Sequence, residues 1–192
     1  MPVMDKISRF ARRFFAFGAG SSMALVFLVI FVNSLRRYTI GKSIAWGEEL
    51  PIYLTIYGVM FGLAYAYMTD SHIRFAIFLD MLEARIKRYV LMLCDLLTAA
   101  TGFSLIFAGH AFALRRGHVD SSGLKTTGDW LAQVTGIPLL EWVGKVGTWQ
   151  YAIVLGGAML TIAALLRLFE RFKEAPAAPA VPSAPAKGEA VS

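Results

Sequence analysis

The sequence predicts an all-α membrane protein with four transmembrane helices and a short interfacial amphipathic helix between the second and third. Three observations carry that prediction. Of 192 residues, 57% are apolar and 17% are charged, against roughly 45–50% and about 25% in a soluble domain. Mean hydropathy is +0.58. The apolar residues form long blocks rather than an amphipathic pattern, and four of these blocks approach the ~20 residues that cross a bilayer core. None alternates with the period of two that a membrane barrel strand requires. The net charge of +6 in so apolar a chain reads as Lys and Arg flanking membrane spans. The lipid bilayer is therefore the expected surrounding and nucleic acid is not an expected partner. A single cysteine, Cys94, excludes an intrachain disulfide and a cysteine-built metal cage.

The expected spans are 14–35, 50–69, 89–114 and 149–166. The first, second and fourth contain no charged residue, and the third contains Asp95 and His110. Backbone groups in hydrocarbon must pair within their own segment, so these runs are helices. The stretch 1–13 is a basic lead with Lys6, Arg9, Arg12 and Arg13. With the first span it resembles a secretion signal in charge. The apolar run, however, exceeds the roughly 7–15 residues of a signal core and ends in Asn33-Ser34-Leu35-Arg36-Arg37, so an uncleaved anchor is expected. The membrane domain is expected to cover 14–174. The tail 175–192, with Pro176, Pro179, Pro182 and Pro185 three apart, cannot bury a core and is expected to be disordered.

Four spans put both termini on one side, together with the connector from Asp70 to Arg88. That side holds 12 Lys and Arg against 7 on the other, which predicts cytoplasmic termini. Trp46, Trp130, Trp142 and Trp149 all fall on the opposite side. Interfacial tryptophan normally populates both surfaces, so this asymmetry points to an outer face that contacts something.

Between spans two and three, Ile73, Ile77, Met81 and Phe78, Leu82 recur at helical spacing. Arg74, Glu83, Arg85, Lys87 and Arg88 occupy other positions. This is the pattern of a helix lying in the membrane interface; an ordinary helical connector is the plainer alternative. After span three, Arg115 to Thr148 forms a long connector. It is expected to hold a short helix through Leu131 and Val134 capped by Thr127 or Asp129, then Gly136-Ile137-Pro138 and a stretch containing Trp142. A connector of this length is usually functional or partly inserted.

Asp95 lies about 9 Å in from Tyr89 at the helical rise, and an aspartate in a span usually has a partner or a role. An ion pair with Arg13 or Arg167 is the structural reading. Ion coupling and contact with another subunit are the functional ones. His110 is the one histidine in a span, so the two facing imidazoles of a bis-histidine haem are not available; no cofactor or metal is expected. Gly58 and Gly62, extended by Ala66, permit close helix approach and read as packing. Walker loops, nucleophile elbows, zinc motifs and paired intramembrane carboxylates are absent from the sequence, so it is not expected to be an enzyme. Nor is there a broken span with matching repeats to mark a transporter substrate site. A four-helix membrane subunit that acts by binding another protein fits best.

The stretch Ser43 to Arg74 carries Trp46-Gly47-Glu48-Glu49-Leu50, then Tyr53, an apolar span with small residues, and His72-Ile73-Arg74. In these motifs, and in Gly136-Ile137-Pro138 ahead of span four, the chain resembles the small DctQ-type membrane subunit of TRAP (tripartite ATP-independent periplasmic) transporters. It departs from that family with Ile52-Tyr53 after the glutamates and Phe75-Ala76 after His72-Ile73-Arg74. The resemblance implies a bacterial inner-membrane protein whose partners are a large permease subunit and a periplasmic solute-binding protein. The complex would take up an organic anion, a carboxylate or sulfonate, coupled to sodium. The small subunit would scaffold the large one and help dock the binding protein. The expected contact residues are Trp46, Glu48, Glu49, Tyr53, Trp130 and Trp142, with His72 and Arg74 in the interfacial helix. For the two glutamates, favourable placement at a positive helix end is the plainer reading. A self-sufficient small channel or carrier, and a haem or quinone anchor of a redox complex, are the alternatives.

Overall fold

A computed structural model describes residues 2–69 and 82–173. The elements in order are α1 (Pro2–Ile40), a 3-10 turn (Ala45–Gly47), α2 (Leu50–Met68) and α3 (Ala84–Arg115). Then follow α4 (Lys125–Thr135), a second 3-10 segment (Pro138–Gly144) and α5 (Val146–Lys173). The helices α1, α2, α3 and α5 are long and apolar enough to cross a membrane, as the four long apolar runs predict. The expected helix between spans two and three, with His72 and Arg74, lies outside the described residues, apart from Leu82 and Glu83, which precede α3, and Arg85, Lys87 and Arg88, which open it. The tail 175–192 lies outside them too.

Three of the four helices run past their uncharged cores. In α1, nothing between Pro2 and Phe14 breaks a helix, so the basic lead is a continuation of the span rather than a separate segment. Its 39 residues measure about 58 Å, nearly twice a bilayer core. Gly41, with φ 72°, ends it in the left-handed conformation that glycine adopts freely, and its N–H caps Arg37 O at 3.0 Å. α3 begins five residues before Tyr89, and α5 begins at Val146 and continues to Lys173.

Packing follows the order α1 on α2, α2 on α5, α5 on α3. The last helix in the sequence thus sits inside the row, and α1 and α3 each pack along their length on one neighbour. Burial agrees: 39% of the apolar window of α5 is buried, against 17% for α1 and for α3. The core is Ala11, Phe15, Ala64, Met68, Ala99, Met159, Leu160, Ala163 and Ala164 with their neighbours. These are mostly small residues, as expected where lipid offers no hydrophobic drive and close backbone approach has to supply the attraction.

The closest approach is between α3 and α5. A side chain at Gly157 would meet Gly102 O at 2.7 Å, and one at Gly109 would meet Ile153 and Val154 at about the same range. In α2, Gly58 lies against Ser22 and Met23 of α1, whereas Gly62 has no atom within 4 Å of where a side chain would begin. Of the two glycines expected to pack, one does so within the chain. Gly62 is a correction: its face of α2 has no described neighbour at that distance, so its spacing from Gly58 marks no shared contact.

Candidate functional site

Two polar clusters lie at opposite ends of the row. At the loop end, the 3-10 turn after α1, the start of α2, the connector after α3 and the start of α5 converge. Asn33 of α1 accepts Ile44 N–H through Oδ1 at 2.7 Å, and Gly47 packs directly on its side chain. Glu49 is the hub. Its Oε1 accepts Tyr53 Oη–H at 2.9 Å. Its Oε2 accepts Ser121 Oγ–H at 2.6 Å and Gly123 N–H at 2.8 Å, with Ser122 Oγ at 3.5 Å. Gly123 comes so near the 3-10 turn that a side chain there would meet Ala45 O at 2.3 Å. The carboxylate of Glu49 therefore staples the connector to α2, rather than capping its own helix, where it makes no side-chain cap.

Tyr53 also stacks on Trp149 of α5, with ring centroids 5.3 Å apart and planes 13° apart. Trp149 Nε1–H donates to Val143 O at 2.9 Å, so one aromatic pair joins α2, α5 and the second 3-10 segment. The connector closes on itself at Asp120 and Lys145. Ser121 N–H donates to Gly144 O at 2.8 Å and Val146 N–H to Val119 O at 3.0 Å. The Asp120 carboxylate takes both Lys125 and Lys145 at 2.5 Å. Those two ammonium groups hold its carboxyl down at about 2, the hydrogen bond from Lys125 having the larger effect.

The short helix in the connector is α4, but its start differs from expectation. It begins at Lys125 with Leu124 at the cap position. Neither Thr127 nor Asp129 caps it; both are already inside the helix. Ser121 Oγ, by accepting Leu124 N–H at 3.1 Å, fixes the entry instead, and Gly136 at φ 69° ends the helix. The face turned inward is small: a side chain at Gly128 would meet Gly144 N at 3.0 Å, and Ala132 is buried too. The face turned outward carries Trp130 at 59% and Val134 at 65% exposure, continued by Leu139 and by Trp142 at 62%.

The predicted contact residues therefore divide. Trp46 is half-buried in the turn packed on Gly123, and Glu49 and Tyr53 are engaged within the chain. Glu48, Trp130 and Trp142 are exposed.

At the end where α1 begins and α5 stops, Asp95 is 1% exposed. Tyr67 Oη–H of α2 donates to its Oδ1 at 2.5 Å, and Arg171 Nε of α5 lies 2.7 Å from Oδ2. This corrects the expected partners. Arg13 is exposed on α1, and Arg167 turns to Glu170 at 3.3 Å, where Arg12 also reaches at 3.7 Å. The reason is geometric. α3 and α5 are antiparallel with Gly102 near Gly157 and Thr161, a register that sets Asp95 about level with Arg167. Helical side chains lean toward the N-terminus, so the long side chain that covers this spot belongs to a residue one turn later, Arg171. Arg88 completes the cluster by donating to the Arg171 and Phe172 carbonyls at 2.9 and 3.1 Å, which satisfies part of the open end of α5.

Sequence reasoning missed Tyr67, Arg88, Arg171, Asn33 and the Asp120 clamp. Two signals were available: a tyrosine in a span, and a second arginine one turn beyond Arg167. Among the described residues, no group of three His, Cys, Asp or Glu is placed to hold a metal ion.

Comparison with curated proteins gives no match. The family model described as "Tripartite ATP-independent periplasmic transporters, DctQ component" matches residues 26–174. That range contains the stapled connector, Asp95, Arg171 and all four tryptophans, and covers well over half of the chain. The chain therefore belongs to the DctQ family, the small permease subunits of TRAP transporters.

Proposed function

We propose that this subunit scaffolds a large permease subunit and helps dock a periplasmic solute-binding protein during sodium-coupled uptake of an organic anion, a carboxylate or sulfonate. It does so in the bacterial inner membrane, with both termini cytoplasmic and the loop end facing the periplasm. The observation that carries this reading is the connector itself. Glu49, the Asp120 clamp and the Tyr53–Trp149 stack fix a 30-residue excursion between α3 and α5, and it presents Trp130 and Trp142 outward. Fixed backbone with exposed aromatic side chains is what a docking surface needs, because little order has to be gained on contact. Trp130, Trp142 and Glu48 make the contact; Trp46, Glu49 and Tyr53 shape the surface behind them. The row of helices supplies the scaffold, because α1 and α3 leave long apolar faces for lipid and for a second membrane protein.

Gene deletion tests the reading. Loss of solute uptake in the deletion strain, rescue by the intact chain, and copurification of the chain with a large permease subunit are expected. Undiminished uptake in the deletion strain, or solute flux by the isolated chain in liposomes, would overturn it.

A further inference from the structure

The end of α1 that extends past its apolar core carries four cations, and they are treated differently. Arg12 faces the row and reaches Glu170. Lys6, Arg9 and Arg13, at spacings of three and four, share another face of the helix and surround an open cavity of about 260 Å³ with Phe10. No described carboxylate pairs with these three. The nearest acid in sequence, Asp5, offers Arg9 only its backbone carbonyl, at 3.2 Å. Further along α1, Phe14 and Phe17 are exposed, and Phe10 and Phe14 stack with centroids 6.3 Å apart. Three cations without a carboxylate partner among the described residues thus stand beside a strip of aromatic rings that enters the uncharged span.

We propose that Lys6, Arg9 and Arg13 bind the phosphate of an anionic phospholipid whose chains lie along Phe10, Phe14 and Phe17. The two halves of the site match the two halves of that ligand. The guanidinium groups provide planar donors for phosphate oxygens, and the ammonium group adds a point charge. The rings provide an apolar wall at the depth of the acyl chains. A free anion would use the cations and leave the aromatic strip unexplained. An acidic protein segment would likewise have no use for an aromatic strip that runs into hydrocarbon. The site depends on α1 spanning a membrane and not on the transport reading, so either can fail alone.

The test uses the full chain in neutral detergent micelles, with dioleoylphosphatidylglycerol as probe and native mass spectrometry to count retained lipid. The K6Q/R9Q/R13Q variant changes exposed side chains and should fold, which its melting curve checks. The charge-matched control is R36Q/R37Q/K42Q at the other end of the span. Expected is a loss of lipid affinity of about tenfold or more in the first variant and a change within about twofold in the control. Equal loss in both variants, equal retention in both, or equal binding of dioleoylphosphatidylcholine would overturn the proposal. Displacement of the lipid by millimolar inorganic phosphate would overturn it in favour of a free anion. A K6Q/R9Q/R13Q chain that keeps its lipid but no longer copurifies with a large permease subunit would overturn it in favour of a protein contact.

Discussion

Arg171 lies with Nε 2.7 Å from Asp95 Oδ2, across the α3–α5 contact and under cover of Tyr67, which donates to the other carboxylate oxygen. The Nε–H direction misses the oxygen, so the contact is ionic rather than a well-aligned hydrogen bond. Three helices, α2, α3 and α5, meet at this carboxylate. A buried ion pair gains little over a well-packed apolar pair, yet removing one partner strands a buried charge and costs about 3–5 kcal/mol. Asp95→Ala and Arg171→Ala are therefore each expected to lower the melting temperature strongly, while D95L/R171L recovers much of the loss. Arg13→Ala is expected to stay close to the native chain, because its head is in solvent. Thermal unfolding in detergent checks all four. A non-coupled response, with the double substitution as poor as the sum of the singles, would show that the two residues do not act as a pair.

How much of this was legible is clearest at Asp95. That a buried carboxylate in a span needs a cation followed from the energetics of burial alone, and its depth gave the correct end of the molecule. Choosing the cation required the antiparallel register and the lean of the arginine side chain, and no single-chain pattern contains either. The four spans were legible because a predominantly apolar run of about 20 residues has few alternatives in a membrane. Their packing order was not, because the apolar faces look alike whether lipid or helix covers them. At Glu49 the sequence showed an acid at a helix start. Its actual partners are Ser121 and Gly123, more than 70 residues later.

The glycines separate by position. Gly157 admits no side chain without moving the Gly102 carbonyl, 2.7 Å from where Cβ would lie. Gly157→Ala is expected to cost about 1–3 kcal/mol through overpacking. At Gly62 and Gly20 nothing lies within 4 Å, so alanine there is expected to be neutral or to stabilise by up to about 1 kcal/mol through helix propensity. Melting of the three single variants decides it, and equal effects at Gly157 and Gly62 would refute the close α3–α5 contact.

Acid is expected to loosen the connector before it disturbs the helices. The Asp120 carboxyl is held at about 2 by Lys125 and Lys145, below the ordinary value near 4. A carboxyl lowered on folding favours the folded form above its unfolded value, and that contribution disappears as pH falls from about 4 through about 2. Amide exchange at Ser121 and Val146, corrected for its intrinsic rate, should be flat between pH 5 and 8 and rise toward pH 2, conditions spanning the titration. High salt should weaken the clamp, since all three side chains are partly in water. Asp120→Asn should reduce the pH-dependent component, and the Glu49 carboxylate that accepts from Ser121 and Gly123 accounts for what is left. A flat profile down to pH 2 in the native chain would show that the clamp contributes nothing to the order of the connector.

The loop end offers a separation between holding the platform and using it. Glu49→Ala removes the acceptor for Ser121, Gly123 and Tyr53 at once. Hydrogen bonds to a charged group are worth about 1.5–3 kcal/mol each in favourable cases. Gly123 N–H and Ser121 would be left against a packed turn, so this variant is expected to melt several degrees lower and to be nicked by trypsin at Arg116 or Lys125. Glu48 is exposed and its side chain makes no hydrogen bond or ion pair among the described residues, so Glu48→Ala should melt like the native chain. The double variant W130A/W142A should also melt unchanged, because both indoles are about three-fifths exposed. In the intact complex, however, it should reduce solute uptake and the association of the solute-binding protein with the membrane subunits. If W130A/W142A leaves uptake and association untouched while Glu49→Ala abolishes both, the rigid connector serves the large subunit alone, and these tryptophans anchor it in the lipid interface.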